Sequence, residues 1–142
     1  MRFRLLTALL LPGIVVAFTG CGAKELPPPP KTYAVKGKIV LPGNVPLNGG
    51  RLTFVPKTDK PTALEGFAEL EPDGTFQPTL FQQNDGLTPG TWVVAISPQS
   101  QYKGKPRTVN NDKIPQKYRS TETSPLTIEV KDSDVSPTLE LK

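Results

Sequence analysis

Prolines recur throughout this chain, which holds 17 of them among 142 residues. Proline lacks a backbone N–H and clashes with the preceding helical turn, so long α-helices are excluded beyond residue 20. Apolar and polar residues instead alternate along the chain, the pattern of strands that are buried on one face. The alternation predicts clear strands at residues 33–41, 90–97 and 126–131, and weaker ones at residues 51–56, 63–71, 75–81 and 137–142.

Turn residues stand between these strands. EPDGT at residues 71–75 is a strong hairpin signal, PLNGG at residues 46–50 joins the first two strands, and NDGLTPG at residues 84–90 precedes a clear strand. Seven short strands in about 110 residues indicate a single all-β domain at residues 33–142. The expected architecture is a seven-stranded antiparallel Ig-like sandwich.

The polar residues 97–125 interrupt this rhythm and are predicted to form one long loop over an end or edge of the sheet. Ile114 and Tyr118 are apolar enough to pack back onto the sandwich. Trp92 shares its strand face with apolar neighbours, which indicates a core position rather than a binding platform. Candidate contacts for a sugar, a polysaccharide, anionic lipid headgroups or a protein partner therefore lie in the loop. They are Tyr102, Lys103, Lys105, Arg107, Tyr118 and Arg119.

The first twenty residues predict export. A basic start precedes an apolar run at residues 5–18, which is shorter than the about 20 residues that span a bilayer. Phe18-Thr19-Gly20-Cys21 resembles the lipobox of bacterial lipoproteins. The resemblance implies that signal peptidase II recognises Phe18, Thr19 and Gly20, and that the thiol of Cys21 is lipidated. A plain secretory peptide with an incidental cysteine and an uncleaved anchor are the alternatives.

Residues 21–32 are predicted to tether the domain to the membrane. Four consecutive prolines favour polyproline II, a semi-rigid spacer that reaches roughly 35 Å between the lipid and residue 33. A proline-rich recognition peptide is the other interpretation. Two or three acyl chains on Cys21 hold a protein stably without a transmembrane helix. Among lipoproteins, an Asp after the cysteine favours the inner membrane, so Gly22 implies the outer membrane.

Phrases across residues 34–142 resemble the carboxypeptidase regulatory-like, or transthyretin-like, domain of many small bacterial lipoproteins. They occur in the family's order and are VKGKIVLPGNVPLNGGRLTFVP, LEPDGTF, LTPGTWVVAIS, IPQKYRSTETSPLTIEV and TLELK. The resemblance implies a transthyretin-like, or prealbumin-like, sandwich that is not itself catalytic. The zinc-containing catalytic domain that accompanies it in metallocarboxypeptidases has no counterpart here.

Composition argues against an enzyme. The chain has no histidine, and its one cysteine is Cys21, so the commonest general base and zinc ligand are absent. Asp132 and Asp134 fall short of a calcium site, which needs six to eight oxygen ligands. We therefore expect no cofactor and no metal. Removing Arg2 and Arg4 with the signal peptide leaves 15 basic and 13 acidic residues, a net charge of +2 that suggests no nucleic-acid partner.

Three functions follow as hypotheses. The first is a cell-envelope lipoprotein that displays a non-catalytic β-sandwich for structural or protein–protein contacts. The second is a carbohydrate-binding module that uses the long loop, and the third is an isolated hydrolase. Fluorescence quenching on titration with sugars separates the first two hypotheses, because only sugar binding should produce it.

Overall fold

Strands make up nearly all the regular structure in the part of the chain that the structure describes. The computed structural model describes residues 27–58, 64–102, 105–108 and 113–142, with the backbone alone for residues 99–102 and 105–108. Within these ranges there is no α-helix, and no helix that could cross a membrane. The described residues contain ten strands, and a short 3-10 helix lies at Gln116–Tyr118. They are β1 Gly37–Leu41, β2 Val45–Pro46, β3 Arg51–Pro56, β4 Gly66–Glu69, β5 Thr75–Phe76, β6 Gly90–Ser97, β7 Gln99–Tyr102, β8 Lys105–Thr108, β9 Thr127–Val130 and β10 Thr138–Glu140.

The strands form two four-stranded sheets and a separate hairpin. In the first sheet β1 has β10 on one side and β2 and β5 on the other, while the second has the order β4-β3-β6-β9. The hairpin is β7-β8. Every pairing is antiparallel except that of β1 with β10, which is parallel. The predicted all-β class with mostly antiparallel sheets is confirmed, whereas the prediction that every pair is antiparallel is wrong for β1 and β10.

The two sheets contain eight strands rather than the seven expected. All seven predicted segments hold a strand, and β2 is the addition. Gly43 and Asn44 both have left-handed backbone angles, with φ of 81° and 61°. Consecutive left-handed residues reverse the chain tightly. The chain therefore turns back directly after β1, Val45 pairs with Leu41, and the two-residue strand β2 forms.

The long loop expected at residues 97–125 is also wrong in part. Its first section forms the hairpin β7-β8, and β7 lies beside β3 and β4. Its last section behaves as predicted, since Ile114 and Tyr118 are buried in the core. Because Tyr118 is only 2% exposed, its ring has no face available for a sugar, contrary to the candidate contact assigned to it.

Both sheets contribute to one hydrophobic core. Alternate residues of β3 point inward, and Leu52 and Phe54 are fully buried there. Phe54 meets Phe76 of the first sheet with ring centroids 5.7 Å apart, a distance typical of favourable aromatic pairs. Trp92 is buried as predicted, and its indole Nε1–H donates to the Thr88 carbonyl at 2.9 Å. Burying each large apolar side chain contributes roughly 1.5–3 kcal/mol.

Candidate functional site

The predicted tether enters the domain at residues 33–36, which we call the tether junction. Tyr33 and Leu87 exchange two backbone hydrogen bonds, at 2.9 and 3.1 Å. On the other side, Val135 N–H donates to the Ala34 carbonyl, and Lys36 N–H donates to the Val135 carbonyl, both at 3.0 Å. The segment is therefore bonded to the domain on both sides before β1 begins.

Asp132 and Asp134 also serve this junction. The Ala34 N–H donates to Asp134 Oδ1 at 2.9 Å, and the Tyr33 hydroxyl lies 3.5 Å from Asp132 Oδ1. A carboxylate that accepts a backbone N–H is a common structural arrangement in turns. Among the residues for which side chains are described, no three acidic, histidine or cysteine side chains lie together as metal ligands.

The candidate site is an open groove of about 700 Å³ near the junction. One wall is the edge of the second sheet, formed by β4 with Arg51 of β3. The opposite wall runs from Lys36 at the junction to Gln77, which follows β5. A turn that carries Gln83 and Asn84 closes one end. We refer to this feature as the edge groove.

The edge groove exists because residues 75–79 cross from one sheet to the other. Thr75 and Phe76 pair with β1 of the first sheet. Thr79 instead exchanges two backbone hydrogen bonds with Phe67 of the second sheet, at 3.0 and 2.8 Å. The crossing residue between them, Gln77, is exposed and lines the groove.

An aromatic ring and an ion pair shape the second-sheet wall. Phe67 is 37% exposed, which is high for a large apolar side chain. The Arg51 guanidinium lies 4.8 Å from the centre of this ring, within the range of a cation–π contact. Arg51 Nε also approaches Glu69 Oε1 at 3.9 Å across the β3–β4 pair. Pairing with the ring and the carboxylate restricts Arg51 to the groove wall.

The turn at residues 80–86 is rigidly built. The Asp85 carboxylate accepts backbone N–H groups from Leu80, Phe81 and Gln82, at distances of 2.8 to 3.0 Å. Asn84 has a left-handed φ of 58°, which asparagine tolerates better than most residues, and its N–H donates to Thr79 Oγ1 at 3.0 Å. These bonds fix the backbone that presents Gln83 and Asn84 to the groove.

The formal charges of the described groove residues cancel. Lys36 and Arg51 supply two positive charges, and Glu69 and Glu71 supply two negative ones. Amide and hydroxyl side chains make up most of the remaining polar lining. The arrangement offers many hydrogen bonds to a ligand and no strong field of either sign.

Of the predicted contacts, the two whose side chains the structure describes, Tyr118 and Arg119, do not line this groove. Tyr118 is buried, and its hydroxyl accepts from Lys142 N–H at 2.7 Å and donates to the Lys142 carbonyl at 3.0 Å. The Arg119 guanidinium donates twice to the Ile114 carbonyl, at 3.0 and 2.9 Å. These two side chains stabilise residues 113–120. Tyr102 lies in β7, and Lys105 and Arg107 lie in β8. Lys103 and the lipobox residues Phe18, Thr19, Gly20 and Cys21 lie outside the described residues.

Sequence reasoning missed Phe67, Gln77 and Asn84. The sequence did contain one signal for Phe67. Successive side chains of a strand point to opposite faces, so Phe67 is expected on the same, solvent-facing side as Glu65 and Glu69. Gln77 and Asn84 had no such signal. Their meeting with β4 depends on the crossing between sheets, which no local pattern specifies.

Comparison with known proteins adds no family. No family model matches the chain, and no curated protein sequence matches it. Among solved structures, a 9R-lipoxygenase from Cyanothece PCC8801 is similar to it, with a TM-score of 0.41 and 11% identity. The match covers 78% of this chain and 16% of the lipoxygenase chain. Agreement at that level carries no argument about fold or activity.

Proposed function

We propose that this protein is an exported lipoprotein, anchored by acyl chains on Cys21, that displays a non-catalytic β-sandwich in the cell envelope. The observation that carries the proposal is the order of three features along the chain. A lipobox-like sequence ends at Cys21, a proline-rich spacer follows, and the domain then begins at the tether junction. A domain displayed from a membrane needs its attachment point secured, and hydrogen bonds on both sides of residues 33–36 provide this.

We also propose that the domain is transthyretin-like, of the carboxypeptidase regulatory-like type. Its two mostly antiparallel sheets share one core, and the seven strands expected from that pattern all form. The extra strand β2 is a short extension of the turn after β1 and leaves the other pairings in place. Within this family pattern the domain acts through contacts rather than chemistry, so an envelope protein or polysaccharide is the expected partner.

The anchor is tested by intact mass and detergent partitioning of the protein purified from membranes, beside Cys21→Ser. We expect a mature chain that begins at Cys21, carries the mass of two or three acyl chains and partitions into detergent. The variant should lose the mass of the acyl chains. A wild-type chain that is unacylated, soluble and cleaved elsewhere would refute the anchor and leave a secreted module.

A matched variant tests the membrane. Gly22→Asp keeps Cys21 and should keep the acyl mass, but it places the inner-membrane signal directly after the lipidated residue. Fractionation should find the wild type in the outer membrane and the variant in the inner membrane. Identical fractionation of both would refute sorting by residue 22 without affecting the anchor.

A further inference from the structure

We propose that the edge groove binds a neutral oligosaccharide. The inference goes beyond membrane display and rests on residues other than the loop residues first considered for sugars. It does not depend on lipidation of Cys21, because the described residues that line the groove all lie between residues 36 and 84 of the folded domain.

Charge decides against a strongly charged ligand. Among the lining residues that the structure describes, Lys36 and Arg51 are matched by Glu69 and Glu71, so this lining favours neither a polyanion nor a polycation. Arg51 is also engaged by Glu69 and by the Phe67 ring. An anionic polysaccharide would have to compete with these contacts while it approached two carboxylates. A neutral ligand is not repelled by the carboxylates and need not separate Arg51 from Glu69.

The polar side chains suit a ligand rich in hydroxyl groups. Gln77, Gln83 and Asn84 each offer amide donors and an acceptor, and neighbouring sugar hydroxyls both donate and accept. The turn at residues 80–86 already holds the backbone of Asn84 in place through Thr79 and Asp85. Binding therefore requires ordering of the exposed side chains but not of the backbone that carries Asn84.

Phe67 supplies the apolar contact that a sugar ring needs. One face of a pyranose presents C–H groups, which pack on an aromatic ring while the hydroxyls at its rim bond to polar groups. Phe67 is 37% exposed between polar neighbours. The Arg51 guanidinium lies 4.8 Å from the ring centre, so the sugar packs on the part of the ring that Arg51 leaves exposed. The groove volume of about 700 Å³ falls in the range of small-ligand sites.

The backbone argues against a peptide that adds a strand to β4. Strand addition requires a row of backbone groups without partners along the edge. Phe67 N–H and its carbonyl are already bonded to Thr79, and Glu71 N–H is bonded to the Thr75 carbonyl. An extended peptide would have to displace these bonds, whereas a saccharide can use the side chains as they stand.

The test is calorimetric titration of the full chain in detergent with neutral tetrasaccharides of the chito-, cello- and malto- series. We expect at least one series to bind. Phe67→Ala should weaken that binding about tenfold, because an aromatic contact contributes up to this factor. Asn84→Gly should weaken it similarly, and glycine tolerates the left-handed φ, so the turn is kept. Thr91→Ala, at an exposed position of β6 outside the groove, is the matched control.

Several results would overturn the proposal. The first is the absence of any heat of binding at millimolar neutral sugar. The second is an equal affinity of Phe67→Ala, Asn84→Gly and the wild type for the sugar. The third is preferential binding of an anionic polysaccharide that is abolished by added salt. Capture of a peptide instead of a sugar by the groove would do the same. Cys21→Ser should bind sugar like the wild type, so failure of the anchor and failure of the groove are told apart.

Discussion

Replacing Gly86 with alanine should break the tether junction, and Gly43→Ala provides a matched control. Both glycines have left-handed angles, with φ of 88° and 81°. A Cβ at Gly86 would lie 1.9 Å from the Tyr33 carbonyl oxygen and 2.6 Å from its carbon. A Cβ at Gly43 would meet no atom within 4 Å. The two substitutions therefore share backbone strain, and only one adds a clash with main chain.

The difference in cost can be worked from the contacts. A left-handed alanine costs roughly 1–2 kcal/mol at either position. At Gly86 the new Cβ must also push the Tyr33 backbone away, which breaks the two hydrogen bonds between Tyr33 and Leu87. Each of these hydrogen bonds contributes about 0.5–1.5 kcal/mol to stability. We expect a free-energy loss of about 1 kcal/mol for Gly43→Ala and about 3 kcal/mol for Gly86→Ala.

Urea unfolding followed by the fluorescence of the buried Trp92 measures both losses. With an m-value of roughly 2 kcal/mol per molar urea, the midpoint of Gly86→Ala should lie about 1 M below that of Gly43→Ala. Limited proteolysis should also cut near residue 33 faster in Gly86→Ala alone. Equal midpoints and equal cutting in the two variants would refute the claim that Gly86 is required by the junction.

Two further substitutions test side chains that stabilise the fold. Tyr118→Phe removes both hydrogen bonds to the Lys142 backbone, and we expect it to lower the free energy of urea unfolding by about 1–2 kcal/mol without changing sugar binding. A variant as stable as the wild type would contradict the structural role of this hydroxyl. The hydroxyl and backbone N–H of Thr75 hold the pKa of Asp73 below its ordinary value, so its contribution to stability is present above about pH 4 and is lost as the pH falls through the lowered pKa. Asp73→Asn should make stability less dependent on pH in that acid range, and an unchanged pH profile would show that the hydrogen bonds do not stabilise the turn.

The alternation of apolar and polar residues predicted those strands well that have several buried residues on one face. β6 spans the eight residues expected, and the inward position of Trp92 followed from its period with Val94. β2 has only two residues and both are exposed, so it left no alternation to detect. The hairpin β7-β8 lies in a polar stretch with Pro106 in one strand, which argued for a loop.

The parallel pair β1-β10 shows a different limit. Lys38 pairs with Thr138, so the two partners are a hundred positions apart in the sequence. Strand patterns report which face of a segment is buried, but they do not report which segment lies beside it or in which direction. For the same reason the edge groove could not be predicted from the sequence. Phe67 lies in a strand of the second sheet, and Gln77 directly follows a strand of the first sheet.

The turn at residues 80–86 connects the two features that we assign to function. Asn84 faces the edge groove, and two residues later Gly86 lies against the Tyr33 backbone at the tether junction. Asp85, between them, fixes the turn through three backbone N–H groups. A change that displaces Gly86 therefore also shifts the groove wall, because so short a turn has no slack to absorb it. For this reason sugar binding must be judged with Asn84→Gly and Phe67→Ala, which leave the junction in place, and a loss of binding in Gly86→Ala would report the shared turn rather than a sugar contact.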